Sequence, residues 1–482
     1  MADTNPSTYE ITKAIITTYD KSIQKDISAT VISSFQITQS MNATSWYGSC
    51  DVLDAAGLLE GLPIRGEEYF EIWIKAFDTQ TEVKLKTRIH GVTDIKPSSS
   101  SNSLTYTLNF VSESTFNASL KRLTQAYVST VGRMVKEMFH DNFSKLSEQQ
   151  SNLDPHDSSK TLPVQTNAIK ILSDEYDRYL FVQPTLTRQR IIIPDLSPAD
   201  AMVFVAARGY STDSPSCTFR FFETLENYYF TTDEYFLKGV RDQDVEEFFY
   251  APVVSMEGTN MDAQLARIEE INILSKGIDT GLDVNSGSYT NEVAEIDLVR
   301  KTFNINKFNY DKDAKFVDMD GTTRDINSNS HTKKFRDETF TSNNAKRFLL
   351  FRNYTRPGDL TSNVDNNKHI SEITQNRISY YHHLNNTVLA VSLKGRLDLR
   401  PGQVIDLNLK AFKGTDSNIF EENDTLSGKY LIQSTVHKGD PEGILNTILR
   451  LAKFDWSIGR GSSENNDIPA DSSAGPGGNG GV

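Results

Sequence analysis

The chain of 482 residues has two cysteines, Cys50 and Cys217, too few for a disulfide framework or a cysteine-rich metal site. Both lie in mixed apolar sequence and are expected to be buried free thiols. No apolar run approaches the roughly 18 residues that span a bilayer, so no direct membrane insertion is expected. The N-terminus, MADTNPSTYEITK, has no basic region followed by an apolar core. A secretory signal is not expected there, and synthesis and retention in the cytoplasm are, unless the protein travels inside a larger assembly. Basic character is short as well, with a formal net charge of −14. That weighs against a general nucleic-acid binder, which shows a basic footprint, and against docking on anionic lipid. DNA could pass such a surface without binding it.

Catalytic patterns are missing too. The eight histidines form no HExxH, and no P-loop, GxSxG or strand-linked GxGxxG occurs. His382-His383 on a strand would face opposite sides and could not share a metal. Asp311–Gly321 (DKDAKFVDMDG) resembles a calcium loop, but the template needs an acid at Phe316 and a Glu at Asn327, so Asx turns are the better account. Glu67-Glu68 is read as a turn before a strand rather than an acid pair. A glycan-binding or glycan-cleaving protein would want convergent tryptophans and carboxylates. Only Trp46, Trp73 and Trp456 exist, far apart in sequence. The reading is therefore not an enzyme, with no catalytic, cofactor-binding or metal residues and no cofactor.

What is present is a repeat. Leu62–Phe77 (LPIRGEEYFEIWIKAF) aligns without a gap on Leu397–Phe412 (LDLRPGQVIDLNLKAF). Leu62/Leu397, Arg65/Arg400, Lys75/Lys410, Ala76/Ala411 and Phe77/Phe412 are identical, and Phe70/Ile405, Ile72/Leu407 and Ile74/Leu409 keep their character. Two alternating strands could look alike by chance. However, each is followed by an alternating strand (Val83–Ile95; Gly428–His437), a loop and another strand (Leu104–Val111; Ile444–Leu451). The order strand, strand, loop, strand in both blocks favours duplication of one β-domain.

The fold class expected is mainly β with α+β insertions: two related antiparallel β-barrel domains plus smaller intervening ones. Residues 1–117 form the first barrel, opening with a strand near Thr30–Thr38 and a short helix within Ser49–Glu60. Apolar steps of three and four predict a helix over 119–143, and 144–165 reads as a polar linker; 118–180 is thus a helix-and-linker region. Residues 181–250 form a small α+β unit. In it, Ser197 caps a helix Pro198–Arg208 closed by Gly209, and a hairpin spans Cys217–Tyr229 with its turn at Glu226-Asn227. Residues 251–457 carry the second barrel, interrupted by a polar insertion at 306–376 with a helix at Asn344–Phe351. In its last strands Tyr430, Ile432, Ser434 and Val436 are expected to share a face. Residues 458–482, rich in Gly and Ser, cannot bury a core and are expected to be disordered.

Four stretches in order resemble the central baseplate hub proteins of contractile-tailed bacteriophages, the T-even-type hub related to the late-control hubs of temperate phages. They are Gly61–Glu68 with its following strand, the strand–helix–hairpin of Ile193–Tyr229, Pro401–Ile405 with Leu426–Ile432 and Val436-His437, and the closing strand near Phe454-Asp455. The resemblance covers roughly residues 10–457; the 306–376 segment and the Gly-rich tail depart from it. It implies tube-type barrels and a homotrimer whose six barrels match a hexameric tail tube. It further implies a trimeric spike on the other side, baseplate wedge proteins as further contacts, and a central channel that passes phage DNA without specific binding. The implied place is the virion tail baseplate, assembled in the host cytoplasm. Another tail tube or adaptor component is the alternative within that class.

Overall fold

The computed structural model describes residues 8–27, 31–62, 64–76, 81–97, 102–151, 167–172, 177–239, 245–250, 264–276, 285–298, 301–319, 323–325, 346–351, 369–409 and 426–453. The tail 458–482 and the shared Phe77 and Lys410–Phe412 lie outside them. No described helix is long and apolar enough to cross a membrane.

The first block contains β1 (Tyr9–Thr17), β2 (Gln24–Asp26), β3 (Ile32–Ser40), β4 (Tyr47–Asp54), α1 (Leu58–Gly61), β5 (Tyr69–Ala76), β6 (Glu82–Pro97) and β7 (Leu104–Ser112). Its strands are ordered β3-β4-β7-β6-β5-β1, all antiparallel. Every one of the six sends apolar side chains into a single core, among them Ile11, Phe35, Val52, Ile72, Leu85 and Phe110. A period of two with one apolar face rolls the sheet around that core.

A middle unit follows: α2 (Glu113–Ser119), β8 (Ala126–Ser129), α3 (Val131–Asn142), β9 (Leu146–Ser151), β10 (Asn167–Ile171), β11 (Tyr179–Val182), β12 (Gln189–Ile192), α4 (Pro198–Ala206), β13 (Arg220–Glu223), β14 (Tyr228–Thr231) and α5 (Asp233–Gly239). The sheet β13-β14-β11-β10-β9 shares one core with α3 and α4, built from Met134, Met138, Phe139, Met202, Phe221 and Phe230. Ser197 caps α4 as expected, its side chain accepting from the Asp200 amide.

The last block holds β15 (Glu247–Tyr250), β16 (Ile268–Lys276), β17 (Thr290–Asp297), β18 (Thr302–Asn309), α6 (Tyr310–Asp313), β19 (Lys315–Val317), β20 (Thr323–Asp325), β21 (Lys346–Phe351), α7 (Ile370–Leu384), β22 (Thr387–Lys394), β23 (Val404–Leu409), β24 (Gly428–Gly439) and β25 (Leu445–Lys453). Six of these strands repeat the first block's connectivity position by position, as β16-β22-β25-β24-β23-β15 around a second core. Phe249 donates its amide to the Ala266 carbonyl, which joins β15 to the lead-in of β16 and closes the ring. One polarity differs: β15 runs parallel to β23, whereas β1 is antiparallel to β5. The mainly β fold with two related barrels therefore holds. The marker strands occupy equivalent places, and Phe70/Ile405, Ile72/Leu407 and Ile74/Leu409 are all buried. The extra elements β17–β21 and α7 sit between β16 and β22, where the first block has only the turn after Ser40.

Several local expectations are corrected. The helix expected over 119–143 begins only at Val131; Ala126–Ser129 instead pairs with Gln189–Ile192, and Leu120 is exposed. A cross-strand partner overrode a periodicity that strand residues met by chance. The expected linker begins with strand β9, and 152–166 lie outside the described residues. Within Ser49–Glu60 the first half is strand β4. Only Leu58–Gly61 is helical, held by the Asp54 carboxylate accepting from the Ala56, Leu58 and Leu59 amides. In place of the helix expected at Asn344–Phe351, Lys346–Phe351 is a strand paired in parallel with β17, and 344–345 lie outside the described residues. His382 and His383 lie on α7, not on a strand. Strand β1 had no sequence expectation at all.

Charging either marker strand places an unpaired carboxylate in a sealed core, at a cost of several kcal/mol. Ile72→Asp and Leu407→Asp are each expected to abolish a cooperative melting transition near the wild-type temperature and to block assembly. A wild-type melting profile by circular dichroism for either variant would contradict this.

Candidate functional site: the junction of the two barrels

Strand β24 belongs to both barrels. Its first residues pair with β23 (Leu431↔Val404 to Gly428↔Leu407), and its last six pair with β3 of the first barrel (Ser434↔Ser40 to Gly439↔Phe35). The result is one sheet of 13 strands. The changeover falls at Gln433, where the ladder to β25 is irregular between Ile432 and Ser434. A bulge inserts one residue and shifts the phase of the strand. Tyr430 and Ile432 therefore point inward before it and Thr435 and His437 after it, while Ser434 and Val436, expected on the inner face, turn outward. The Gln433 carbonyl accepts from the Met41 amide just beyond β3.

The polar residues that this phase shift buries are satisfied as a closed network. Gln39, Thr435, His437 and Thr447 have no exposed surface. Thr447 donates its hydroxyl to the Arg396 carbonyl at 2.8 Å, so its oxygen receives His437 Nδ1–H at 3.2 Å. His437 Nε2 is then the acceptor for the Gln39 amide at 3.2 Å, whose other hydrogen goes to Thr435 Oγ1 at 3.1 Å. Gln39 Oε1 accepts from the Leu225 amide at 3.0 Å. Such a network fixes the imidazole as one neutral tautomer. Burial, with the Arg400 charge nearby, pulls its pKa down to about 3.

Leu225 arrives from the tip of the β13–β14 hairpin, and there all three units meet. Its side chain is buried in the first barrel's core. On one side of it Glu223, with no exposed surface, accepts from Ser45 Oγ (2.6 Å) and Ser112 Oγ (2.6 Å) of the first block and from Thr115 Oγ1 (3.0 Å) of α2, and pairs with Arg178 at 2.8 Å. On the other, Glu226 accepts from Arg400 of the second barrel at 2.7 Å. Arg400 also donates to the Leu397 and Leu399 carbonyls. Its repeat equivalent Arg65 is exposed, so the same residue of the repeat is buried in one block and open in the other. The turn itself is preserved: Glu68 Oε1 accepts from the Arg65 amide and Gln403 Oε1 from the Arg400 amide, at equivalent positions. Glu67-Glu68 is thus the turn that the sequence suggested.

Two further links secure the second barrel and the insertion. Arg396 grips Glu246 through both terminal nitrogens (2.6 and 2.8 Å) and Asp398 (2.7 Å), bridging the approach to β15 and the turn before β23. Burial raises the Asp398 carboxyl, but Arg396 outweighs it and holds the group below its ordinary range. On α5, Glu234 accepts from the Ser216 amide and hydroxyl and from the Val317 amide of β19. Burial pushes its carboxyl up to about 7.

The remaining sequence candidates lie apart from one another. His383 is buried on α7, stacked on Tyr310 at 4.1 Å with Nδ1 against the Ser379 carbonyl. Asp318 accepts from the Met319 amide, while Asp320 and Gly321 lie outside the described residues. Cys50 and Cys217 are free and buried, their thiols pushed up by burial. Trp46 is in the first core, Trp73 lies between the ammonium groups of Lys13 and Lys84, and Trp456 is outside the described residues. Among the described residues no group of three or more His, Cys, Asp or Glu could hold a metal ion. The hairpin was expected from the sequence, but the docking of its tip on both barrels was not. Its signal is a leucine at a turn, Leu225, which has no reason to be apolar unless something covers it.

No family model and no curated protein matches the chain. Among solved structures, the chain is similar to a tail protein from Neisseria meningitidis MC58, at 10% identity over 93% of this chain and 98% of that one, TM-score 0.48. It is also similar to a 43 kDa tail protein of prophage MuSo2 from Shewanella oneidensis, at 8% identity over 92% and 99%, TM-score 0.46. A third is an E. coli type VI secretion component, itself described as similar to T4 tail proteins, at 8% identity over 94% and 78%, TM-score 0.39.

Two outcomes test the junction. Glu223→Ala leaves Arg178 buried without its partner and is expected to cost about 3–5 kcal/mol in chemical denaturation; a loss below 1 kcal/mol would contradict the anchoring role. For His437, an unfolded chain takes up a proton below about 6.5, while the folded imidazole refuses it until about 3. Stability is therefore lost as pH falls through that window, by up to about 1.4 kcal/mol per pH unit. His437→Gln is expected to lose about 1 kcal/mol less per unit between pH 6 and 4, and equal slopes for the two proteins would refute the assignment.

Proposed function

We propose that this chain is a structural, non-catalytic component of a phage tail baseplate: the central hub, a homotrimer that adapts a sixfold tail tube to a threefold spike and surrounds the genome channel. The observation that carries the reading is the doubled barrel. Two six-stranded barrels of equivalent connectivity are joined edge to edge through β24, so backbone hydrogen bonds set their mutual position. Three such chains in a closed ring present six similar barrels, a pseudo-sixfold surface on a threefold body. The sequence resemblance to hub proteins supplies the tube hexamer, the spike and the wedge proteins as partners, and the virion baseplate as the location. The net charge of −14 suits a channel wall that lets DNA slide rather than stick. In this reading the tube-type domains are 1–112 and 247–457, since β15 carries the second barrel across the boundary expected at 251, and the unit between them is the support.

Native mass spectrometry and electron-microscopy projections of the purified protein test the proposal. Trimers that project as rings with six similar lobes are expected. A stable monomer at tens of micromolar, or a ring of another order, would overturn it.

A further inference from the structure

The three-stranded sheet β18-β17-β21 has apolar side chains on both faces, and only one of the two is covered. Antiparallel pairing sets Phe303 beside Ile296, Ile305 beside Ala294 and Lys307 beside Glu292, all on one face. Parallel pairing adds Leu349 beside Ala294 and Arg347 beside Glu292 to that face. The opposite face is mixed, with Val293 and Phe308 buried beside Asn291, Glu295 and Asn306, and it is the one covered. Helix α7 packs on it, Ser371 donating to Glu295, Asn306 to Ser371, and Gln375 to the Asn306 carbonyl. The face with Phe303, Ile305 and Leu349 points to solvent. Phe303 is 58% exposed, Leu349 54%, Ile305 46%, and Leu298 just past β17 is 72% exposed. At the end of the apolar stripe Glu292 is buried between Arg347 (2.7 Å) and Lys307 (4.0 Å), whose side chains are 70% and 67% exposed. The rim therefore shows two cations over one covered carboxylate.

An outward apolar face of this kind marks a contact surface, since soluble chains hide such patches. The chain's own neighbouring segments are poor covers. Residues 326–345 (INSNSHTKKFRDETFTSNNA) and 352–368 (RNYTRPGDLTSNVDNNK) are mostly polar, and the first is basic like the rim itself. Size narrows the occupant. Four partly exposed side chains amount to an apolar patch on the order of 400 Å², well short of the roughly 800 Å² per partner of a free-standing complex. A contact this small holds only between bodies already kept together, where effective concentration does the rest. Charge agrees: the rim is cationic, and another copy of this chain carries a net −14.

We infer that the outward face of β17, β18 and β21 docks on a second copy of this chain, Phe303, Ile305 and Leu349 covering apolar surface and Lys307 and Arg347 meeting carboxylates of the neighbour. The inference rests on the trimer proposed above and gives that ring a contact outside its barrels. It also accounts for an insertion that lies between β16 and β22 and adds nothing to either barrel's ladder. The face is side-chain driven, so its substitutions should spare the fold.

Sedimentation velocity across a concentration series, on wild type, Phe303→Glu/Leu349→Glu and the control Thr302→Glu, tests it. Thr302 is exposed on the other face of β18. The double variant is expected to keep the wild-type melting temperature and to need at least tenfold more protein to assemble, with the control unchanged. Hydroxyl-radical footprinting of wild type reads the same face without mutation: Phe303 is expected to be oxidised in dilute monomer and protected in the assembled form. If wild type assembles, while the double variant assembles equally well and Phe303 stays reactive, this inference is overturned and the hub reading stands. A wild-type chain that never self-associates overturns both.

Discussion

Everything in this molecule hangs on the main-chain hydrogen bonds of one strand. Residues 428–431 of β24 complete the second barrel, and residues 434–439 continue the edge of the first. Side-chain contacts between domains can slide and repack. A backbone ladder cannot, because a slip of one residue would turn every inward side chain outward. Gly439 shows how tight the fit is. It lies opposite Phe35, and a Cβ there would stand 2.3 Å from the Phe35 ring and 2.6 Å from the Tyr9 ring. Those two rings are themselves packed edge to face at 4.9 Å. The bulge at Gln433 makes the dual role possible, by rotating the strand's faces where its neighbour changes from β23 to β3.

The hairpin of the middle unit acts on the same joint from the side. Leu225 supplies the apolar contact, and its amide finishes the Gln39–His437 network. Glu223 and Glu226 reach in opposite directions, one to the first barrel and one to Arg400 of the second. Buried ion pairs contribute little net stability over apolar packing, but breaking one is costly, so they specify geometry more than they add energy. Here such specification fixes the spacing of the two barrels.

The sequence spoke clearly where one face of a strand is apolar. Phe70, Ile72 and Ile74, with Ile405, Leu407 and Leu409, gave strand, face and repeat together, because alternation and burial are the same fact there. The repeat extended to connectivity, and the structure carries it through all six strands. Legibility failed where a distant partner decides. Ala126–Ser129 becomes a strand only because Gln189–Ile192 lies beside it, and Lys346–Phe351 only because β17 does. The phase change at Gln433 has no local signature, so alternation carried Ser434 and Val436 onto the inner face with Tyr430 and Ile432, where Thr435 and His437 belong. The junction's residues are ordinary polar types, and nothing in Gln39 or Glu223 announces that they meet residues far along the chain.

The shared strand also sets a timetable. Ser40 pairs with Ser434, so 434 − 40 = 394 residues separate the two halves of that ladder. At about 5–20 residues per second of synthesis, the edge of β3 waits roughly 20–80 seconds for its neighbour. An uncovered edge invites pairing with other nascent chains. The outward positions of β3 near the joint, Gln36, Thr38 and Ser40, are small or polar, which makes that waiting edge a poor template for aggregation. The first barrel is thus born unfinished, and the end of the chain returns to complete its beginning.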